Sequence, residues 1–261
     1  MNFRAVCASF RQQATQFLSD PQWIIPSIIS PFLFTIVILM LYQDVTGPVV
    51  LQAVLGGGVL GMWANTLFAS SFTISYDRMN GTLEALLSSP THLIDIIVGR
   101  SIWNAFIGLI NALLVFVVAE LIFQTGVAIV NPLLFFGTLI VTLLSLASIG
   151  LIFSAAFVFS RRSYILTSIA EYPIYVLCGA MIPITTLPQC VQYISYALAP
   201  SWGIDAMKLA SVEGYTSMTG MSIWTDLLIM IFISFVYFLV AKKLLGTIER
   251  NIRETGSAIR Y

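Results

Sequence analysis

Residues 78–90 read RMNGTLEALLSSP and lie between two long apolar segments of the chain. Leu83, Leu86 and Leu87 share one face of a helix, because residues three or four positions apart stand one above the other. The spacing therefore predicts a short amphipathic helix over residues 82–89. A helix of about two turns is unstable in water on its own, so its leucine face predicts a partner that buries it.

Both ends of this helix carry residues with known end preferences. Thr82 is suited to the N-cap, and Glu84 falls in the first turn, near the positive end of the helix dipole. Pro90 ends the helix, because the residue before a proline disfavours helical backbone. The helix is therefore predicted to end before the next apolar segment begins.

The overall composition is that of a membrane protein. The chain has 261 residues, of which 58% are hydrophobic and only 9% are charged, and its mean hydropathy is +0.93. Soluble domains carry about 25% charged residues. The formal net charge is zero and no strongly basic face is found, so nucleic acid is not an expected partner.

Six segments are long and apolar enough to cross a bilayer, which takes about 20 residues. The predicted spans cover residues 22–42, 50–75, 96–123, 132–158, 164–182 and 222–241. Eleven of the twelve lysines and arginines flank these spans on one side, and only Lys208 falls on the other. Because basic residues favour the cytosolic side, the protein is predicted to be multi-pass with both termini cytosolic.

Two shorter segments are predicted to be helical without crossing the membrane. Residues 2–19 suit an amphipathic helix in the cytosolic interface, and a helix packed on protein is the alternative. Its apolar stripe consists of Phe3, Val6, Phe10, Ala14 and Phe17. Residues 183–210 are predicted to form one or two short re-entrant helices on the outer side. Their apolar residues at helical spacing are Leu187, Val191, Ile194 and Leu198. The fold class is thus an all-α integral membrane protein with one domain over residues 1–261.

The second span has an unusually polar lower half. Asn65, Phe68 and Phe72 share one face there, at positions i, i+3 and i+7. A mixed aromatic and polar face is typical of a pathway for an amphipathic substrate. Hydrogen bonding between helices is the alternative, and it is at least as common.

A carboxyl group lies near the middle of the fifth span. Glu171 is followed by Pro173, which kinks a helix and frees a backbone carbonyl group. With Tyr172 and Tyr175, this carboxyl is a candidate for the lining of a polar cavity; a structural hydrogen bond is the alternative. Asp226, near the outer end of the last span, is predicted to reach headgroups and water.

No catalytic or metal-binding motif is found in the sequence. The glycine cluster GGGVLG lies inside the second span and lacks the lysine of a phosphate-binding loop, but Gly57 and Gly61 allow close helix packing. His92 is the only histidine and is expected to be solvated. Cys178 and Cys190 are expected to be free, buried thiols, with a disulfide between them as the alternative.

The stretch YDRMNGTLEALLSSPTHLIDIIVGR at 76–100 matches a known pattern, R-x-x-G-T-x-E-x-L-x-x-[ST]-P. Looser matches are LSDPQW at 18–23 and MIPITTLPQCVQYISYALAPSWGIDAMK at 181–208. On these residues the chain resembles the permease subunit of ABC-2 type transporters. The resemblance covers essentially the whole chain, including its six spans and N-terminal helix.

The resemblance implies an exporter in the cytoplasmic (inner) membrane. Two permease copies, expected to be a homodimer, would form the pathway, and two separate ATP-binding subunits would bind ATP and magnesium, with no cofactor in this chain. The helix at 82–89 would be the coupling helix. The residues implied in coupling are Arg78, Gly81, Thr82, Leu83, Glu84, Leu86, Leu87 and Pro90. Spans two and five would line the cavity, and the outer helices would form its lid.

The expected substrate is an amphipathic small molecule, a drug, a lipid or a peptide. Export of a lipid-linked polysaccharide is the alternative within the family. A proton-coupled secondary transporter that uses Glu171 is the alternative from another class, but it would favour paired intramembrane carboxyls and an inverted repeat, and neither is found. A membrane scaffold would leave the polar faces of spans two and five unexplained.

Overall fold

The computed structural model describes residues 2–19, 24–25, 29, 31–33, 35–37, 40, 47–68, 76–77, 80–82, 85–86, 91–123, 129–159, 173–212 and 214–255. Every regular element within these residues is a helix, which confirms the predicted all-α fold class. Eight of the candidate site residues lie outside the described residues, namely Phe72, Arg78, Leu83, Glu84, Leu87, Pro90, Glu171 and Tyr172.

Seven α-helices of the described residues have defined bounds. In chain order they are α1 (Phe3–Ser19), α2 (Gly47–Trp63), α3 (Leu93–Phe123), α4 (Pro132–Phe159), α5 (Gln189–Ala197), α6 (Ala199–Ser211) and α7 (Ile223–Thr255). A π-helix over Ala64–Phe68 continues α2, and a 3-10 turn over Ile184–Thr186 precedes α5. Described residues between 24 and 40, and residues 173–177, are helical as well.

Three helices are long and apolar enough to cross a membrane, by length and composition. They comprise Leu93–Val118 in α3, Pro132–Ala155 in α4 and Ile223–Asn251 in α7, on the third, fourth and sixth predicted spans. The second predicted span begins on α2 and leaves the described residues after the π-helix. The first and fifth lie largely outside them, so the six-span arrangement stays a prediction.

The main hydrophobic core joins α2, α3, α4 and α6. Met62 and Trp63 at the end of α2 are almost completely buried, together with Ala112 of α3, Phe135 of α4 and Met207 of α6. Buried apolar side chains of this kind pack at close density. The core therefore holds the second predicted span firmly against the neighbouring helices.

The two glycines of α2 pack closely against the described residues of the first predicted span. A Cβ atom on Gly61 would lie 3.0 Å from a ring carbon of Pro31, and one on Gly57 would overlap the Thr35 hydroxyl group. Only glycine leaves room for such an approach. The interpretation of Gly57 and Gly61 as a packing pair is confirmed.

The N-terminal helix α1 packs along the first half of α3. The Trp103 ring of α3 contacts Phe10 and Phe17 edge-on, with centroid distances of 5.3 and 6.4 Å. A Cβ atom on Gly99 would overlap the α1 backbone, so the two helices touch closely there. Phe3 stays 78% exposed. Part of the apolar stripe thus packs on protein, the alternative considered above, and a position at the membrane surface stays a prediction for the rest.

The segment after residue 182 forms two short helices with different environments. α6 is buried along nearly its whole length between α4 and α7, and Gly203 allows this because its Cα packs directly on Thr142 of α4. α5 is more exposed. Of the candidate lid residues, Ile194 is exposed, and three are partly buried: Leu187, Val191 and Leu198.

The two cysteines near this segment are free thiols, as expected. Cys178 is buried in the core, whereas Cys190 is exposed. The expectation of burial is therefore wrong for Cys190. The reason is that Cys190 lies in the first turn of α5, which leaves several of its side chains uncovered.

Candidate functional site

The described part of the short amphipathic segment is anchored to Asp77, which lies five residues before Thr82. Thr82 donates its backbone N–H group to the Asp77 carbonyl oxygen at 2.8 Å. The Thr82 hydroxyl lies 3.1 Å from the same carbonyl oxygen and 3.2 Å from a carboxylate oxygen of Asp77. Gly81, with φ +70°, provides the left-handed turn that this closure needs. Leu86 then donates its N–H group to the Thr82 carbonyl oxygen at 3.1 Å, which starts a helical turn.

Asp77 also forms a buried ion pair with Arg100 of α3. The carboxylate accepts a hydrogen bond from Arg100 Nη1, and the two side chains are only 7% and 3% exposed. Arg100 Nη2 lies 3.4 Å from Gln12 Oε1 of α1. One carboxylate therefore ties the amphipathic segment to α3, and one guanidinium extends the connection to α1.

Burial makes this ion pair sensitive to the loss of either partner. Removing two charges from water costs several kcal/mol for each ion, and only close geometry with further hydrogen bonds offsets that cost. Asp77 receives such bonds from both Arg100 and Thr82. The arrangement is thus better suited to fixing one position of the segment than to adding net stability.

The last helix reaches the same end of α3. Glu249 of α7 accepts a hydrogen bond from the Leu93 N–H group at 3.1 Å through Oε2, and its Oε1 lies 3.4 Å from His92 Nδ1. The first turn of a helix has N–H groups without intrahelical partners, so Glu249 satisfies one of them. His92 is 73% exposed, as expected. The N-terminal end of α3 consequently contacts both α1 and the late part of α7.

A shallow cleft opens beside the anchored segment. Its volume is about 500 Å³, and its lining includes Gln12 and Gln16 from α1 and Asn80 from the turn before Thr82. Most of the surface that lines the cleft is apolar, and the amide groups add positions that can donate and accept hydrogen bonds. The cleft therefore offers a partner mainly apolar contact next to Thr82.

Two of the pathway candidates, Asn65 and Tyr175, are buried within the chain. Asn65 lies in the π-helix and donates from Nδ2 to the Gly61 carbonyl oxygen at 2.9 Å. Tyr175 is 3% exposed, and its ring contacts Trp63 edge-on at a centroid distance of 5.4 Å. The backbone of Phe68 ends the π-helix. Asn65 and Tyr175 thus lie on two neighbouring segments that both contact the end of α2.

The structure adds two charged residues that the sequence interpretation did not assign to the site. Asp77 and Arg100 stand near the two ends of the quoted stretch at 76–100, outside the pattern itself, and are 23 positions apart in the chain. Neither residue lies on the leucine face. The sequence signal for this ion pair is a carboxylate and a guanidinium on either side of the amphipathic segment. The number of residues between them does not by itself show that their side chains are in contact.

The three apolar helices of membrane-spanning length among the described residues place the chain in the class of multi-pass membrane proteins. The family model for ABC-2 type transporters matches residues 4–213, which is most of the chain. The chain belongs to the ABC-2 type transporter family. It is a transmembrane permease domain of that family, and such domains lack an ATPase site of their own.

Two curated relatives share distant similarity with part of the chain. Both are named "Probable multidrug ABC transporter permease YbhR", one from Escherichia coli strain K12 and one from Escherichia coli O157:H7. Each is 24% identical over 130 residues, which cover 50% of this chain and 35% of the relative. The similarity therefore extends over about a third of the length of these relatives.

Proposed function

We propose that this chain is the membrane-spanning subunit of an ATP-driven exporter and is moved by a separate ATP-binding subunit. The partner binds ATP and magnesium, and its surface receives the leucine face of the coupling helix at 82–89. Burial of Leu83, Leu86 and Leu87 would stabilise the joint by about 1.5–3 kcal/mol for each side chain. Both termini and this helix lie on the cytosolic side of the cytoplasmic membrane.

The observation that supports this proposal best is the anchoring of the segment through Asp77. A force applied at Leu86 passes through the turn at Thr82 to the Asp77 carboxylate, and from there to Arg100. Arg100 belongs to a helix of membrane-spanning length. Movement of the coupling helix would therefore shift α3 rather than only bend a loop.

The proposed assembly contains two permease copies and two ATP-binding subunits. In a single chain, α7 leaves large apolar side chains uncovered, including Trp224, Leu228 and Phe232, each more than 60% exposed. Surfaces of this kind suit the lipid bilayer or a second copy. In the proposed assembly, the two copies form a homodimer with the pathway between them.

The proposed pathway runs along spans two and five. Its candidate residues are Asn65, Phe68, Phe72, Glu171, Tyr172 and Tyr175. The π-helix at Ala64–Phe68 supports this proposal, because single π-helical turns are frequent at functional sites and allow a helix to shift locally. Such a shift is needed to expose Asn65 and Tyr175, which are buried in the conformation described here.

The proposed cargo is an amphipathic small molecule, a drug, a lipid or a peptide. The name of the two relatives includes the word multidrug, which favours this choice over a lipid-linked polysaccharide. On the outer side, the α5–α6 segment would serve as the lid, with Leu187, Val191, Ile194 and Leu198 on its apolar face. The alternative from another class is a proton-coupled transporter that uses Glu171, and the experiment below distinguishes the two.

The experiment is co-expression of the full chain with the product of its neighbouring gene, followed by purification through a tag on the permease and a test for a Walker-motif ATPase in the purified complex. We expect the ATPase to co-purify and its ATP turnover to rise with amphipathic drugs, lipids or peptides. Stimulation by lipid-linked sugars alone would replace the proposed cargo. Transport by the purified chain in vesicles without any ATPase would refute the proposal as a whole.

The matched control is an ATPase variant whose Walker lysine is replaced. It should still co-purify, because docking depends on the leucine face, but it should neither hydrolyse ATP nor support transport. Transport that survives this variant and collapses with the proton gradient would identify the secondary transporter instead.

A further inference from the structure

Two carboxyl groups meet in the interior, where α6 packs against the first turns of α7. Asp226 of α7 is completely buried and Asp205 of α6 is 4% exposed. The two carboxyl groups are near enough to act on each other electrostatically across this contact. Asp226 does not reach headgroups and water as the sequence predicts, because α6 covers the start of α7.

The Asp205 carboxylate accepts hydrogen bonds from two neighbouring residues. Tyr215 donates its hydroxyl hydrogen to Asp205 Oδ1 at 2.9 Å, and Met218 donates its backbone N–H group to Oδ2 at 3.1 Å. Hydrogen bonds of this kind stabilise the ionised form of a carboxyl group. Asp205 is therefore the member of the pair that is suited to carry the negative charge.

Asp226 has the opposite surroundings. Among the described residues no hydrogen-bond partner is found for either of its carboxylate oxygens, and the group that faces it is another carboxyl. An ionised Asp226 would be a buried charge without a counter-ion and would repel Asp205. A protonated Asp226 removes both problems, because its O–H group can donate to the Asp205 carboxylate.

The charges of the surrounding groups are also consistent with one bound proton. Lys208, one helical turn after Asp205, is 8% exposed, and burial lowers the pKa of its ammonium group to about 8, although Asp205 opposes this. Burial and the neighbouring carboxylates raise the pKa of Tyr215, so its phenol stays neutral. Cys178 borders the same region, and α4 contributes no titratable residue. Among the residues that the structure describes, one cation therefore faces two carboxyl groups, and one bound proton balances these charges.

We propose that Asp205 and Asp226 form a proton-binding carboxyl pair, in which Asp226 holds the proton and donates it in a hydrogen bond to Asp205. The pair joins α6 to α7. Loss of the proton places two like charges between these helices and loosens their contact. If the proposed function is right, α6 belongs to the outer lid, and the pair makes the closure of the lid dependent on pH.

The test is infrared spectroscopy of the full chain in lipid nanodiscs, with no need for transport. We expect the wild type at neutral pH to show a carboxylic-acid C=O band that Asp226→Asn removes and that Asp205→Asn shifts in frequency. Asp226→Asn keeps a donor toward Asp205, whereas Asp205→Asn leaves Asp226 buried and protonated but replaces its carboxylate acceptor by an amide. Tyr215→Phe is the matched control, since it removes a hydrogen bond but neither carboxyl group, and it should keep the band.

A second readout is the midpoint of heat unfolding as a function of pH. The folded chain retains a proton that unfolded carboxyl groups, with pKa values of about 4, have released. The wild-type midpoint should therefore fall as the pH rises and the pair ionises, whereas Asp226→Asn should lack this fall. If one variant fails to accumulate, the wild type alone tests whether the pair binds a proton. Its carboxylic-acid band should disappear as the pH is raised and the pair ionises.

Two results would overturn the proposal. One is an acid band that is absent from the wild type or unchanged in both asparagine variants. The other concerns the heat-unfolding midpoint of the wild type, which is expected to be lowered at high pH. Recovery of this midpoint on addition of sodium ions, but not of choline, would identify a metal-cation site instead. Neither result depends on whether the chain exports anything, so failure here is separate from failure of the proposed function.

Discussion

The substitution Asp77→Asn tests the mechanical connection between the amphipathic segment and α3. It keeps the size of the side chain but leaves Arg100 charged and buried without its counter-ion. Removing one partner of a buried ion pair costs about 3–5 kcal/mol. We assign this cost to the conformation in which the segment is anchored to Asp77. The ratio of anchored to released conformations then decreases by roughly 100- to 4,000-fold, because about 1.4 kcal/mol corresponds to a factor of ten.

Hydrogen exchange of the backbone amides measures this release directly. The N–H groups of Thr82 and Leu86 are bonded within the anchored segment, so Asp77→Asn should speed their exchange, while amides in the middle of α4 should stay protected. The double variant Asp77→Asn with Arg100→Met removes both buried charges and should recover part of the protection. Wild-type protection in Asp77→Asn, or equal loss in the single and double variants, would refute the reasoning.

Three further substitutions probe the helix face, the α1 contact and the fifth span. Leu86→Asp should abolish substrate-dependent ATP turnover in the co-purified complex while the chain still inserts in the membrane, and turnover equal to that of the control Ala85→Asp would contradict the coupling role. Gly99→Ala places a methyl group against the Val6 carbonyl oxygen, so the heat-unfolding midpoint should fall by an amount equivalent to about 1–3 kcal/mol; an unchanged midpoint would show that α1 is not tightly docked. Glu171→Gln should transport in an ATP-driven manner and, like the wild type, should not respond when the proton gradient is collapsed. If wild-type transport instead depends on the gradient and the substitution abolishes it, the secondary transporter is favoured.

Local features of the sequence were enough to predict the fold class and part of the span pattern. A bilayer requires each crossing segment to satisfy its own backbone hydrogen bonds, so a long apolar run in a chain of this kind predicts a helix. The described helices α3, α4 and α7 agree with this prediction. The close packing at Gly57 and Gly61 was also predictable, because the absence of a side chain is itself a property of the sequence.

The contacts between distant polar residues were not predictable in this way. Asp77 and Arg100 are 23 positions apart, and nothing in the helical period indicates that their side chains meet. Asp226 illustrates the same limit, because its position near a span end predicts contact with water. Its burial against Asp205 depends on where α6 packs.

What the sequence by itself determined is therefore that the described long segments are helical and which of them are apolar enough for a membrane. The leucine face of residues 82–89 follows from the same local pattern and stays a prediction. These properties depend on composition and on a period of 3.6 residues, which are local. Only the tertiary structure decided which charged groups are paired, which are buried, and which helix each one holds. Those properties depend on the distance between side chains and on their removal from water, and both are set by the packing of helices that lie far apart along the chain.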